Sequence, residues 1–367
     1  MKKICLFLHG LNNGGVEAII YRLIKNISPS SVSFDLVCFE KKSEKCFNEF
    51  KDVVSNIFFI PPKKKNFIKH LRSIKKIIRN GSYDVVHSNL FEWNSIPLYY
   101  AKKYGVPIRI SHTHIVMPIG FLGRFILKIN SYLIKRYSNT MIGCSREACD
   151  FLYGHGIGEV LPNGFEISNF FYNESYRESI RNYFQISKKT LVIGNVGRLS
   201  KQKNHSLMIE IAKKMKSQSK DAVFLCVGCG ELEKDLKNAI IQNNLEKYFI
   251  LAGETNKVEM FYSAFDIFCF PSLYEGLGIA LVEAEISGLP CVVSSAIPKE
   301  AIVSKNVVVA DCFADSIDDW TNYIFALQEF TLTSNRCKRD FFLFENAKKY
   351  DIKECALMIK RLYGIGD

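Results

Sequence analysis

Short apolar runs alternate along this chain with longer stretches whose apolar residues recur every three to four positions. Ile4–Leu8 reads as a buried strand, Asn12-Asn13-Gly14-Gly15 as a turn, and Val16–Ile27 as a helix with Val16, Ile19, Ile20, Leu23, Ile24 and Ile27 on one face. Phe34–Phe39, Asp84–His87, Arg109–His112 and Thr140–Cys144 read as further strands, with a helix at about Asn94–Tyr104. Continuous apolar strands separated by amphipathic helices imply a parallel sheet covered on both faces.

Val160-Leu161-Pro162-Asn163-Gly164 is a turn signal, and polar, irregular sequence continues to about Ser187. The alternation then restarts. Strands are expected at Leu191–Val196, Ala222–Val227, Phe249–Ala252, Ile267–Phe270 and Cys291–Ser294. Helices are expected at Ser206–Lys216, Glu231–Asn243, Val258–Ala264 and Ile279–Ser287, with a last one at about Ile352–Tyr363. A chain of 367 residues is long for one core. The reading is therefore two doubly wound α/β domains, residues 1–170 and 186–349, with a terminal helix (about 350–367) packing back on the first. Such domains bind ligands outside the carboxyl ends of their strands, so a cleft between the two is the expected active site.

Composition narrows the partners. A formal net charge of +12 favours something anionic: nucleic acid, anionic lipid or a phosphorylated substrate. No zinc finger, single-strand module or basic-aromatic platform is visible, which argues against nucleic acid. The 12 cysteines are scattered, and Cys5, Cys38, Cys269 and Cys291 sit in apolar runs as packing residues, a pattern suited to a reducing cytoplasm. Cys226-x-x-Cys229 has no second pair at zinc spacing. The apolar run after Met1-Lys2-Lys3 is too short for a leader peptide, and no run reaches the length of a membrane span.

The charge is not evenly spread. From Lys63 to Asn80 there are eight basic residues and no acidic one, with Phe67, Ile68, Leu71, Ile74, Ile77 and Ile78 at helical spacing. Residues 121–136 form a second basic, apolar helix. Either can be an ordinary amphipathic helix buried on one side or a dock for an anionic membrane face.

Candidate chemistry gathers after strands. Phe270-Pro271-Ser272-Leu273-Tyr274-Glu275-Gly276-Leu277-Gly278 leads from a strand into a helix that carries Glu283. Amides of Gly276, Leu277 and Gly278 at a helix N-terminus attract phosphate, and a carboxylate beside them can accept from sugar hydroxyls. Gly197-Arg198-Leu199-Ser200-Lys201-Gln202-Lys203 follows another strand. There Arg198 offers a fork for phosphate oxygens and Lys203 a point charge. Gly14-Gly15 lets backbone approach a ligand closely. Ser111-His112-Thr113-His114 ends a strand, and an imidazole there could polarise or hydrogen-bond a hydroxyl. The two rings share one face, so a metal is conceivable from spacing, although no acidic partner is near in sequence.

Taken together, these strings resemble the retaining glycosyltransferases of family 4, which have the GT-B fold. The Glu275-x7-Glu283 block resembles the family signature, and its surroundings match from Phe-Pro-Ser through Gly-Leu-Pro-Cys-Val. The resemblance assigns Glu275 to the donor sugar and Glu283 to the nucleotide ribose. Gly197-Arg198 and Lys203 resemble the block that neutralises the leaving diphosphate, with Asn204 where the family has glycine. Gly14 and Gly15 resemble the loop that contacts the donor from the first domain, and His112, with His114 second, the active-site histidine. Pro162-Asn163-Gly164 and Gly228-Cys229-Gly230 resemble family turns whose contributions are structural and backbone only.

The resemblance implies a metal-independent, cytoplasmic enzyme on the inner membrane face, with no cofactor. It would move a hexose or N-acetylhexosamine from a nucleotide diphosphate sugar, uridine the expected base, to a lipid-linked or glycan acceptor in capsule or exopolysaccharide synthesis. A nucleotide-sugar epimerase of the same fold and a non-catalytic partner subunit are the rival readings.

Overall fold

The computed structural model describes all residues except 13, 28–31, 64, 115, 117–119, 314, 334–344 and 367; for 92, 121, 122 and 329–333 it describes the backbone only. Asn13 of the first turn and Lys64 of the basic Lys63–Asn80 stretch lie outside the described residues, as do the side chains of residues 121 and 122. The chain forms two compact units, Met1–Phe165 with Lys349–Asp367, and Glu166–Lys348.

The first unit contains β1 (Lys2–Phe7), α1 (Gly15–Lys25), β2 (Val32–Cys38), α2 (Glu44–Lys51), β3 (Asn56–Phe59), α3 (Phe67–Gly81) and β4 (Val85–Ser88). There follow α4 (Ser95–Lys103), β5 (Ile108–Thr113), α5 (Phe121–Tyr137), β6 (Thr140–Gly143), α6 (Arg146–Tyr153) and β7 (Glu159–Val160). The parallel sheet runs β3-β2-β1-β4-β5-β6-β7. Alternation along β1 explains its unbroken hydrophobicity. Ile4 and Leu6 enter the core under α1, while Cys5 and Phe7 enter the core on the other face, under α3 and α4.

The second unit contains α7 (Glu174–Tyr183), β8 (Leu191–Val196), α8 (His205–Ser217), β9 (Ala222–Val227), α9 (Glu233–Gln242), β10 (Phe249–Gly253) and α10 (Val258–Ala264). It continues with β11 (Ile267–Phe270), α11 (Ile279–Ile286), β12 (Cys291–Ser294), β13 (Val307–Ala310) and α12 (Ile317–Thr333). Its sheet runs β10-β9-β8-β11-β12-β13, also parallel. A core of Leu191, Ile193, Met208, Ile211, Phe224 and Trp320 fills one face. Two Rossmann-like α/β units, as the sequence pattern implies, make up the protein.

Within the segment read as irregular, residues 174–183 are helical. Asn173 caps α7 by accepting from the Ser175 and Tyr176 amides. Arg177 and Arg181, one turn apart, then reach Asp266 at 2.7 and 2.5 Å and the carbonyls of Ala264 and its neighbours. The helix is held by charge-assisted bonds rather than an apolar stripe, so hydrophobic periodicity missed it.

The last helix, α13 (Ile352–Leu362), belongs to the first unit. Its Ile352, Cys355 and Ile359, with Tyr363 just beyond, join the core beneath α1. Phe165 exchanges backbone bonds with Tyr350 and Ile352, and Gly164 lets Cys355 come within reach, since a Cβ there would lie 2.8 Å from the Cys355 sulfur.

Candidate active site

In the second unit strand order reverses between β8 and β11, and the loops leaving those strands flank the switch point, where open α/β sheets bind ligands. The β8 loop carries Gly197, Arg198 and Lys203; the β11 loop carries Glu275, Gly276, Leu277 and Gly278. Main chain joins them: the Leu273 amide donates to Gln202 O at 2.8 Å, and the Gln202 side-chain amide donates to Tyr274 O at 2.9 Å. A single 3-10 turn, Lys201–Lys203, presents Lys203 and ends at Asn204 with φ +54°. A left-handed residue is required here; asparagine adopts that conformation more readily than most non-glycine residues, so the loop turns without the family glycine.

Lys203 Nζ donates to Glu275 Oε1 at 2.6 Å, with the two side chains only 13% and 9% exposed. The ammonium also lies 4.5 Å from the Phe270 ring centroid, and Gly197 leaves room for its stem. Arg198 is placed differently. Its side chain is 75% exposed, and its Nε lies 3.3 Å from Glu231. Glu283, inside α11, is buried and accepts from the Tyr262 hydroxyl at 2.7 Å. Burial, then the charge of Glu283, pushes the Tyr262 pKa up, so the phenol stays a donor. Lys203 is thus paired with Glu275, Arg198 with Glu231 and Glu283 with Tyr262. Gly276 and Leu277 lead into α11, whose N-cap is Gly278 at φ +85°.

Two neighbouring glycines are steric necessities. A Cβ at Gly228 would fall onto the Gly197 carbonyl, and one at Gly230 onto the Leu199 carbonyl. The β9 loop lies directly on the β8 loop, tied by Leu199 N to Cys229 O (3.0 Å) and Leu232 N to Leu199 O (3.0 Å). His205, next to the Lys203 turn, is buried, and desolvation with the nearby Lys203 charge lowers its pKa to about 4.

In the first unit the reversal falls between β1 and β4. Gly14 is the N-cap of α1 and Gly15 its first residue. The Glu17 carboxylate folds back over Gly14, where any Cβ would collide with it. Burial raises the Glu17 pKa, partly offset by bonds to its own backbone and to Asn12. Glu17 follows the Gly14-Gly15 pair in sequence, and its position three residues past the N-cap is the signal that it orders the loop.

His112 stands at the end of β5. Its neighbour in space is His87 of β4, which sequence reading did not single out. His87 pairs in register with Ile110, and residue 112, two further on, returns to the same face. His87 Nε2 lies 3.2 Å from His112 Nδ1, and His87 Nδ1 lies 2.8 Å from the Tyr363 hydroxyl. The His114 ring centroid is 3.9 Å from that of His112, and its Nε2 is 2.9 Å from Asn89 Oδ1. Burial lowers all three pKa values, to about 3 for His87, to about 4 for His114 and well down for His112, so the cluster is neutral at physiological pH.

Among the described residues no group of three or more His, Cys, Asp or Glu side chains could hold a metal ion. Cys226 is buried in β9, while Cys229 is exposed with its thiol toward Glu254, and both are free thiols. Among the described residues no helix is long and apolar enough to cross a membrane.

The two basic helices differ. On α3, Ile74 and Ile78 are buried and Ile77 packs against the same core, so most of its apolar face is spent on the fold; Phe67 and Ile68 remain exposed. On α5, Leu127 and Ile134 face inward, yet Phe125, Ile126, Ile129 and Tyr132 are exposed, interleaved with exposed Arg124, Lys128, Lys135 and Arg136.

Comparison with known proteins agrees with this architecture. Residues 13–169 match the family model Glycosyltransferase Family 4, and residues 176–337 match Glycosyl transferases group 1. The chain is 27% identical to EpsF of Bacillus subtilis, a glycosyltransferase by name, over 99% of this chain and 97% of that one. It is also 27% identical to the UDP-Gal:alpha-D-GlcNAc-diphosphoundecaprenol alpha-1,3-galactosyltransferase of Escherichia coli, over 86% and 84% of the two chains. The crystal structure of Anabaena HepE in complex with UDP and glucose superposes with a TM-score of 0.83 at 18% identity, covering 99% of this chain and 100% of that one. With a glycosyltransferase model matched in each half and two Rossmann-like units of this topology, the chain belongs to the GT-B glycosyltransferases.

Proposed function

We propose that the protein transfers a hexose or N-acetylhexosamine, with retention of configuration and without a metal, from a UDP-sugar to a lipid-linked or glycan acceptor in surface polysaccharide synthesis. The observation that carries this reading is the buried Lys203–Glu275 pair at the switch point of the second unit, beside the start of α11. Lys203 gives one N–H to Glu275 and has two more for phosphate oxygens. Arg198 supplies an exposed second cation, and the amides of Gly276, Leu277 and Gly278 are proposed to complete the diphosphate cradle. These groups would stabilise charge as the sugar–phosphate bond breaks, taking the place of a metal. The acceptor hydroxyl attacks from the face the diphosphate leaves, and its proton passes to the departing diphosphate oxygen.

Glu275 is assigned to the sugar hydroxyls, Glu283, oriented by Tyr262, to the ribose, and Gly14, Gly15 and His112 to the sugar end of the donor. Support for a uridine donor and a lipid-linked acceptor comes from the E. coli relative, whose name specifies both, and from HepE, crystallised with UDP and glucose. The exposed apolar and basic face of α5 suits binding at an anionic membrane surface, where such an acceptor resides.

A thermal-shift panel of nucleotide sugars tests the reading, since a bound donor stabilises the fold by mass action. A UDP-sugar should raise the melting temperature and, with a polyprenyl-diphosphate-sugar acceptor, yield a longer glycolipid. Epimerised donor in the absence of acceptor, or no nucleotide sugar bound at all, would overturn it in favour of an epimerase or a non-catalytic subunit respectively.

A further inference from the structure

The buried Tyr363–His87–His112 chain has a direction that can be worked out by counting protons. Tyr363 is 3% exposed, and among the described residues the one side-chain partner of its hydroxyl is His87 Nδ1, at 2.8 Å. His87 Nε2 in turn has His112 Nδ1 at 3.2 Å. His112 is 1% exposed, and its Nε2 has no partner among the described residues. Of the four tautomer combinations of two neutral rings, two keep both hydrogen bonds. In one, Tyr363 donates to His87 Nδ1, His87 Nε2–H donates to His112 Nδ1, and one group is left over, the His112 Nε2–H. In the other, every bond reverses; the phenol hydrogen and the His112 Nε2 lone pair are then both stranded. A buried unsatisfied polar group costs about 1–3 kcal/mol, so the first arrangement prevails.

We infer that Tyr363 and His87 are positioning residues that fix His112 as its Nε2–H tautomer, so that its unpartnered nitrogen donates a hydrogen bond to a ligand oxygen and does not act as a base. The oxygen it suits is a sugar hydroxyl; this part rests on the assignment of His112 to the donor sugar made above. Tyr363 is 276 residues from His87 in sequence and lies at the end of α13. The terminal helix therefore does more than cover the sheet: it sets the hydrogen-bonding sense of a group at the end of β5. The low pKa of each ring agrees with an uncharged relay.

Long-range proton–nitrogen NMR of the full chain labelled with 15N-histidine reads the tautomers directly. His87 and His112 should both carry their proton on Nε2 in the wild type without ligand. In Tyr363→Phe, which removes one oxygen and keeps the ring, the two arrangements become nearly equal, and both rings should show mixed tautomers. The same variant should bind UDP as tightly as wild type and transfer sugar about two-fold more slowly, since about half of its molecules keep the competent tautomer. An Nδ1 proton on either ring of the wild type, or unchanged tautomers in Tyr363→Phe, would overturn the inference, whatever the enzyme's substrate. Correct tautomers in a protein that binds no nucleotide sugar would instead overturn the functional reading and leave the relay standing.

Discussion

The Lys203 ammonium and the Glu275 carboxylate, 72 residues apart in sequence, meet at 2.6 Å with each side chain almost wholly covered. Such a pair is not built for stability, because desolvating two charges offsets most of their attraction. Under the proposed function its value lies in holding a cation ready beside a helix N-terminus. Removing one partner leaves the other buried and unpaired. Lys203→Ala should therefore cost about 3–5 kcal/mol of stability as well as activity. The double variant Lys203→Ala/Glu275→Gln should recover much of the stability and none of the transfer. Chemical denaturation of both variants checks this, and additive losses would show that the pair is not coupled.

Arg198 should behave in the opposite way. Its side chain is three-quarters exposed, and its ion-pair partner among the described residues is the half-exposed Glu231. Arg198→Ala is expected to shift stability by less than about 0.5 kcal/mol. It should weaken UDP binding markedly at low salt and less at high salt, since an exposed cation is screened. Calorimetric titration with UDP at two ionic strengths measures this, and equal affinity in variant and wild type would remove Arg198 from the diphosphate site.

Acid should destabilise the fold through its buried histidines. His205 and His114 have pKa values of about 4 in the folded chain and His87 about 3, against an ordinary value near 6.5. A base whose folded pKa is depressed adds stability above its unfolded pKa and loses it as pH falls toward the folded one. Stability should be full above about pH 6.5 and decline toward pH 4, with each group contributing on the order of 3 kcal/mol. His205→Gln should flatten that decline when denaturant midpoints are compared at pH 7 and pH 4.5. A decline as steep as in wild type would assign the acid sensitivity elsewhere.

The outer face of α5 should govern attachment to lipid. Phe125→Asp with Ile129→Asp places two charges among exposed apolar side chains and touches no buried one. Sedimentation with vesicles containing anionic phospholipid should fall several-fold for this variant while UDP binding is unchanged. Vesicle binding that persists would transfer the role to Phe67 and Ile68 of α3 or deny it to both helices.

Much of this protein was fixed locally. Repeated four- to six-residue apolar strands can only be buried on both faces, so two parallel α/β sheets were legible before any coordinates, and residues in the loop after a strand, such as Lys203 and Glu275, had to lie at its carboxyl end. What local sequence could not carry is pairing between distant segments. The helix α7 is polar and held by Arg177 and Arg181 on Asp266, a contact with no trace in its own periodicity. His87 joined the histidine cluster only through strand register, and Tyr363 only because α13 docks beneath α1. Nor could amphipathicity separate α3 from α5, since both have apolar residues at helical spacing. Which apolar face a helix buries, and which it leaves to solvent, depends on the neighbour it meets, and that neighbour is chosen by the fold as a whole.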